Sequence, residues 1–348
     1  MERKNKIIFS QHSKRILGLE ILRMILSLWI VIIHCCTFKN GFIRKIFYKK
    51  LHVPTFLIIS FYFLYYHLIN RNINKIKQRF ERLLIPYFIY PIAIFINNNI
   101  IFLIFKDKFT KFNKKIPMRF LINQLIFGIN IHDILWFHFY LIMLTLIYTI
   151  ISFTFKQNFL FIFHIISFIC YRLQYSGIIY QFFKKYKEKP HYCMGSIIEI
   201  IPYSVTGLSL CSFDLISKLK KNKVEIFVIN IIALYLIESC KICKTPYGFR
   251  YPGINPNLGG ICLFIIFLLL PLEKIKNKII ISFLKFITKY TGGIYLLHII
   301  LRDNLNNRIL MIKNKTITGG FLIYFLSFLI CHIGTIIFDK TKLRNLFN

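Results

Sequence analysis

The chain has 348 residues, 56% of them hydrophobic and 17% aromatic, a formal charge of +34 and a mean hydropathy of +0.58. Soluble domains carry roughly 45–50% apolar residues. Here the excess is gathered into lysine-bounded blocks such as 25–33, 134–153 and 261–272, so a water-soluble architecture is excluded. The charge does not imply a nucleic-acid partner: the 47 Lys and Arg sit mostly in short connections between apolar blocks, where anionic headgroups attract them, and no basic stripe crosses a polar, foldable surface.

An apolar run of about 20 residues crosses the hydrocarbon layer as a helix, which satisfies its own backbone where lipid cannot. Ten such spans are predicted, at 16–38, 51–70, 83–105, 134–153, 157–171, 195–214, 224–239, 257–272, 280–301 and 317–338. The fold class is an all-α, polytopic membrane helix bundle, one domain over residues 1–348 with no soluble domain expected. The first span follows a basic stretch but runs past His34 without a small-residue cleavage site, so it reads as retained rather than as a signal peptide.

That first span carries Glu20, Arg23, Ser27 and His34. Charged side chains inside a bilayer cost about 2.5–3.5 kcal/mol on insertion scales and so point to function. The step from Arg23 to His34 closes to within about 20° of whole turns, and Glu20 lies within about 40° of the same direction. The polar groups therefore line one stripe, with Arg23 and His34 about 16 Å apart along the axis. For Glu20 and Arg23, at i and i+3, a mutual structural pair is the competing reading. For His34 it is snorkelling at the membrane edge.

The second span contains VPTFLIISFYFL (53–64), with Pro54 and Ser60. Ahead of the third, Arg79-Phe-Glu-Arg82 precedes Pro86-Tyr87. Two arginines at that spacing suit paired phosphate oxygens, although a basic helix end resting on headgroups is the plainer reading, and Glu81 between them is placed to tie them up. The fourth span opens LWFHFYL (135–141) with Trp136, a residue type common as an interfacial anchor. Pro202, with Gly195 and Gly207 nearby, gives the sixth span a hint of a break. The nine cysteines lie mostly in or beside apolar blocks, where a thiol behaves as a small hydrophobe. Cys240 and Cys243 form a lone CxxC without a second pair, so no metal site is expected. The ninth span holds IYLLHIIL (294–301), with Tyr295 and His298. Glu199, Glu238, His138, His164 and His332 receive no functional assignment.

Taken in order, these blocks resemble the acyltransferase-3 family of integral-membrane, acyl-CoA-dependent O-acyltransferases. The resemblance rests on Glu20-x-x-Arg23 followed by His34, the Pro54–Ser60 block, Arg79-x-x-Arg82 with Pro86, Trp136, and Tyr295-x-x-His298, and it covers nearly the whole chain. Two departures stand out. Glu20 replaces the usual Asp, and Phe61 occupies the position after Ser60 where a glycine for close helix packing is expected.

The resemblance implies an enzyme that moves an acyl group, commonly acetyl, from acyl-CoA to a hydroxyl of a cell-surface glycan or other extracytoplasmic acceptor. Acyl-CoA is then a co-substrate, with no bound cofactor. In this reading His34 is the catalytic base, accompanied by Glu20 and Arg23, while Arg79, Arg82, Trp136, Tyr295 and His298 contribute to acyl-CoA binding. A neutral imidazole titrates in the range this proton transfer needs. Lys and Arg are equally divided between the two sides, so charge bias leaves orientation open. Because acyl-CoA is cytoplasmic, placing Arg79 and Arg82 on that side puts the N-terminus in the cytoplasm of a plasma-membrane protein, with His34 toward the outer leaflet. The runner-up is a secondary transporter, for which paired repeats and broken spans are expected; no repeat is visible in the chain.

Overall fold

The computed structural model describes residues 16–35, 51–104, 118, 121–122, 135–155, 158–176, 178, 181, 194–213, 219, 222–239, 254–270, 272, 277–304 and 317–347. The elements are α1 (Leu17–Cys35), α2 (His52–Ile69), α3 (Ile73–Ile104), α4 (Leu135–Phe155), α5 (Phe159–Ser176), α6 (Met194–Ser212), α7 (Lys223–Ser239), α8 (Ile254–Leu269), α9 (Lys278–Thr288), α10 (Thr291–Asn304), α11 (Ile317–Ile337) and a 3-10 turn at Lys342–Leu346. No strand occurs among the described residues.

Each predicted span is matched by helix, most of them to within a few residues; the third starts earlier, and the ninth is two helices, α9 and α10, interrupted at Lys289–Tyr290. The physical reason lies in the run Thr288-Lys-Tyr-Thr-Gly-Gly293. Each glycine costs about 1 kcal/mol relative to alanine in a helix, and Tyr290 is drawn off the helical path to bond His332 of α11 at 3.1 Å. Six helices are long and apolar enough to cross a membrane, or seven with α9 and α10 counted as one broken span, and α6 and α8 are apolar but shorter. The chain is thus a multi-pass membrane protein. Exposed Phe161 and Phe168 of α5, Ile229 and Tyr235 of α7, and Phe321 and Phe325 of α11 are what helices in lipid present outward.

The third span begins ten residues earlier than predicted, since α3 starts at Ile73 and runs through Pro86 and Pro91. Arg79 and Arg82 therefore stand on the same helix as the span and not in a loop before it. The sixth span, suspected of a break at Pro202, is continuous as α6. The Cys240–Cys243 pair lies outside the described residues.

Two compact units divide the chain. The first comprises 1–26, 49–76 and 148–288, the second 27–48, 77–147 and 289–348. In the first, α6 packs against α2, α5 and α8, and α8 packs against α2 and α7. Phe61, where glycine was expected, is fully buried and meets Tyr148 edge-on at 5.3 Å. The close approach comes instead from the facing helix. A β-carbon at Gly207 of α6 would overlap the Ile58 carbonyl oxygen of α2, so close helix packing here relies on that glycine. Several polar side chains in this unit are matched locally: the Tyr148 and Ser204 hydroxyls bond each other, Asn257 donates to Tyr171 and Thr206 at 2.7 and 2.9 Å, and Ser209 bonds His164 at 3.0 Å.

The core of the second unit is built from Val31, Ile32 and Cys35 of α1, Tyr290 and Ile294 at the start of α10, and Ile323 and Cys331 of α11. The α10 and α11 helices pack directly on each other. Ser27, on the polar stripe of α1, meets the Tyr324 hydroxyl of α11 at 3.3 Å.

Candidate active site

The imidazole of His34 stands one residue before the end of α1, at the edge of this apolar core. Its ring centroid lies 5.6 Å from that of His298, tilted by 39°. His298 is completely buried. Its Nδ1–H donates to the Ile294 carbonyl one turn back at 3.3 Å, which leaves Nε2 as the lone-pair nitrogen of the neutral ring. That Nε2 is buried and has no hydrogen-bond partner among the described residues. Leaving such an atom unsatisfied costs about 1–3 kcal/mol, so it is a position where a water, a ligand group or a proton transfer finds a partner.

From His298 the aromatic contacts continue inward. Tyr295, one turn earlier on α10, has its ring 6.0 Å from that of His298 and stacks on His138 of α4 at 6.1 Å and 23°. Phe137 flanks the other side of Tyr295 at 5.8 Å, and Trp136 packs on Tyr140 at 5.9 Å. Three helices thus contribute to a chain of four rings, His34, His298, Tyr295 and His138. His138 is itself buried, and its Nδ1 has no partner among the described residues.

Arg302 closes the other flank. It lies four residues after His298 on α10, and its Nη1 donates to the His34 backbone carbonyl at 3.5 Å. The last carbonyls of a helix lack intrahelical partners and carry the negative end of its dipole, so a guanidinium there holds the end of α1 in register with α10.

The arginines of α3 differ in setting. Arg79 is half-buried and donates its Nε to Thr145 of α4 at 3.1 Å, while Arg82 is exposed. Thr145 lies seven residues from His138, so both occupy one stripe of α4 about 10 Å apart. Glu81 does not tie up the arginines as the sequence suggested, because its carboxylate is engaged by Lys342 at 3.0 Å.

Glu20 and Arg23 lie in the first unit and pair with each other at 3.4 Å, the structural pairing that competed with a direct role. Of the sequence-predicted residues, the fold brings together His34, His298 and Tyr295, with Trp136 one turn from Tyr140 on α4; it gives Arg79 and Arg82 separate surroundings. His138 and Arg302 were missed. The signal for Arg302 was its i+4 spacing from His298, which places both on one helix face. His138 offered no such signal, since only the packing of α4 on α10 reveals it. Among the described residues no group of His, Cys, Asp and Glu is arranged to hold a metal ion.

A family model described as an acyltransferase domain, the acyltransferase-3 model, matches residues 16–337. Neither the curated proteins nor the solved structures contain a match to this chain.

Proposed function

The chain belongs to the acyltransferase-3 family and is a membrane acyltransferase, and from that premise we propose that it carries an acetyl group from acetyl-CoA to a hydroxyl of a cell-surface glycan or similar extracytoplasmic acceptor. The observation that carries the proposal is the His34–His298 pair, in which a half-buried imidazole on α1 sits beside a fully buried one on α10. An acceptor hydroxyl is a poor nucleophile until a positioned base removes its proton. His34 takes that proton as the hydroxyl oxygen bonds to the thioester carbonyl carbon. The carbon–sulfur bond then breaks, and the imidazolium returns the proton to the departing thiolate, so the residue ends as it began. His298 sets the position of His34 from behind, and Arg302 fixes the helix end that carries it.

CoA brings phosphates, and Arg79 and Arg82 are the groups proposed to meet them. Arg23, steadied by Glu20, is the candidate contact for the pantetheine arm. With the donor arginines in the cytoplasm, the N-terminus is cytoplasmic too, and His34 works toward the outer leaflet of the plasma membrane.

The test is transfer of a labelled acetyl group from acetyl-CoA in membranes carrying the wild type or His34→Ala. Loss of transfer in the variant, at equal membrane abundance, supports the reading. Undiminished transfer overturns it, and solute movement without any acyl transfer would place the chain among transporters.

A further inference from the structure

Residues 338–347 pack within the second unit, where they touch α3 at Glu81, between the donor arginines, and at Tyr90, and touch α10 at Gly293. We infer that this segment belongs to the donor site, with Lys342 as a positioning residue that keeps Glu81 from competing with phosphate for Arg79 and Arg82. The inference rests on the reading of those arginines as donor contacts.

Glu81 is the lone acidic residue in α3, set in a run with Lys75, Lys77, Arg79 and Arg82. A bare carboxylate there, well within a screening length of about 8–10 Å, would repel a phosphate dianion and draw on the same guanidinium groups. Lys342 Nζ meets its Oε1 at 3.0 Å, with the lysine side chain 73% exposed. An ion pair this open contributes little to folding. Its effect is therefore on the local charge, which becomes uniformly cationic.

The lysine is held in place by a built segment. Tyr90, further along α3, donates to the Leu346 carbonyl at 3.0 Å in a buried contact. Phe347 occupies a notch made by two glycines: a β-carbon at Gly334 would lie 2.6 Å from its ring, and one at Gly293 would lie 2.7 Å from its carbonyl oxygen. Phe338 stacks on the Phe347 ring at 5.8 Å and 8°, and Arg344 closes the turn onto Asp339 at 2.6 Å. Gly293 is two residues before Tyr295 on α10, so the segment that presents Lys342 to Glu81 also abuts the helix carrying His298.

The experiment measures KM for acetyl-CoA and kcat for the full-length enzyme as wild type, Arg82→Ala, Lys342→Ala, Lys342→Arg and the double variant Lys342→Ala/Glu81→Gln. Lys342→Ala is expected to raise KM about three- to tenfold with kcat within about twofold. Lys342→Arg should behave as wild type, and the double variant should return KM close to it, because no carboxylate remains to compete. A purely structural lysine would not be rescued by Glu81→Gln, so failure of that rescue, or an unchanged KM in Lys342→Ala, overturns the inference. An unchanged KM in Arg82→Ala overturns the donor reading beneath it; a raised KM in Arg82→Ala alone leaves that reading standing and removes only this one.

Discussion

His164 of α5 and His298 of α10 are both lone histidines on apolar helices, yet their surroundings are opposite. His164 is exposed and its Nε2 bonds the Ser209 hydroxyl in the first unit. His298 is wholly buried in the second, with Nε2 lacking a partner among the described residues and a second imidazole beside it. The first unit pairs several polar side chains among themselves, as Tyr148 does with Ser204 and Asn257 with Tyr171. The second also has such pairs, Tyr290 with His332 and Ser27 with Tyr324 among them, but around His298 it gathers imidazoles against an aromatic wall. What separates the two histidines is burial with an open ring nitrogen on the one hand and exposure with a bonded nitrogen on the other.

The largest expected effect tests this contrast directly. His34→Ala should lower acetyl transfer by about 10²–10⁴-fold, the usual worth of a positioned acid–base group, whereas His164→Ala should leave the rate within about twofold. Equal losses in the two variants, measured at matched abundance, would erase the distinction between the units. Next comes His298→Ala, which withdraws the ring behind His34. Loss of positioning on this scale costs up to about 10²-fold in kcat, with KM for acetyl-CoA little moved. Combined with His34→Ala it should add almost nothing, since residues acting as one unit are not additive.

Smaller effects belong to the first unit. Gly207→Leu drives a side chain into the backbone of α2 and is expected to cost about 1–3 kcal/mol, read as a lower Tm in detergent while the rate per folded molecule is kept. A catalytic loss exceeding the loss of folded protein would show that α6 serves the reaction. Smallest is Ser204→Ala, which removes the Tyr148 hydrogen bond for about 1 kcal/mol and should shift Tm by a few degrees without altering KM.

The sequence made the spans legible because lipid imposes a length and an apolarity that single blocks satisfy alone. It made the broken ninth span illegible for the converse reason, since Tyr290 leaves the helix toward His332 on another element. Phe61 is the same lesson at one residue: a missing glycine looked like lost packing until Gly207 was found across the contact. For the site, His34 stood out as a polar group on the stripe of a span. His138 did not, because a histidine among aromatic residues carries no mark of what α10 brings against it. Glu81 was legible as a neighbour of the arginines, but its partner 261 residues away was not.

The interruption at Lys289–Tyr290 has one more implication. At fourteen residues, α10 is about 21 Å long, shorter than the roughly 30 Å of hydrocarbon it would have to cross alone. Its first turn therefore begins at depth, and backbone ends at depth survive only when protein or water shields them from acyl chains. Tyr290 and Thr291, each 2% exposed, provide that shelter. The Tyr295 and His298 rings, carried in the turns that follow, thus hang from a half-length rod whose first turn is anchored in protein.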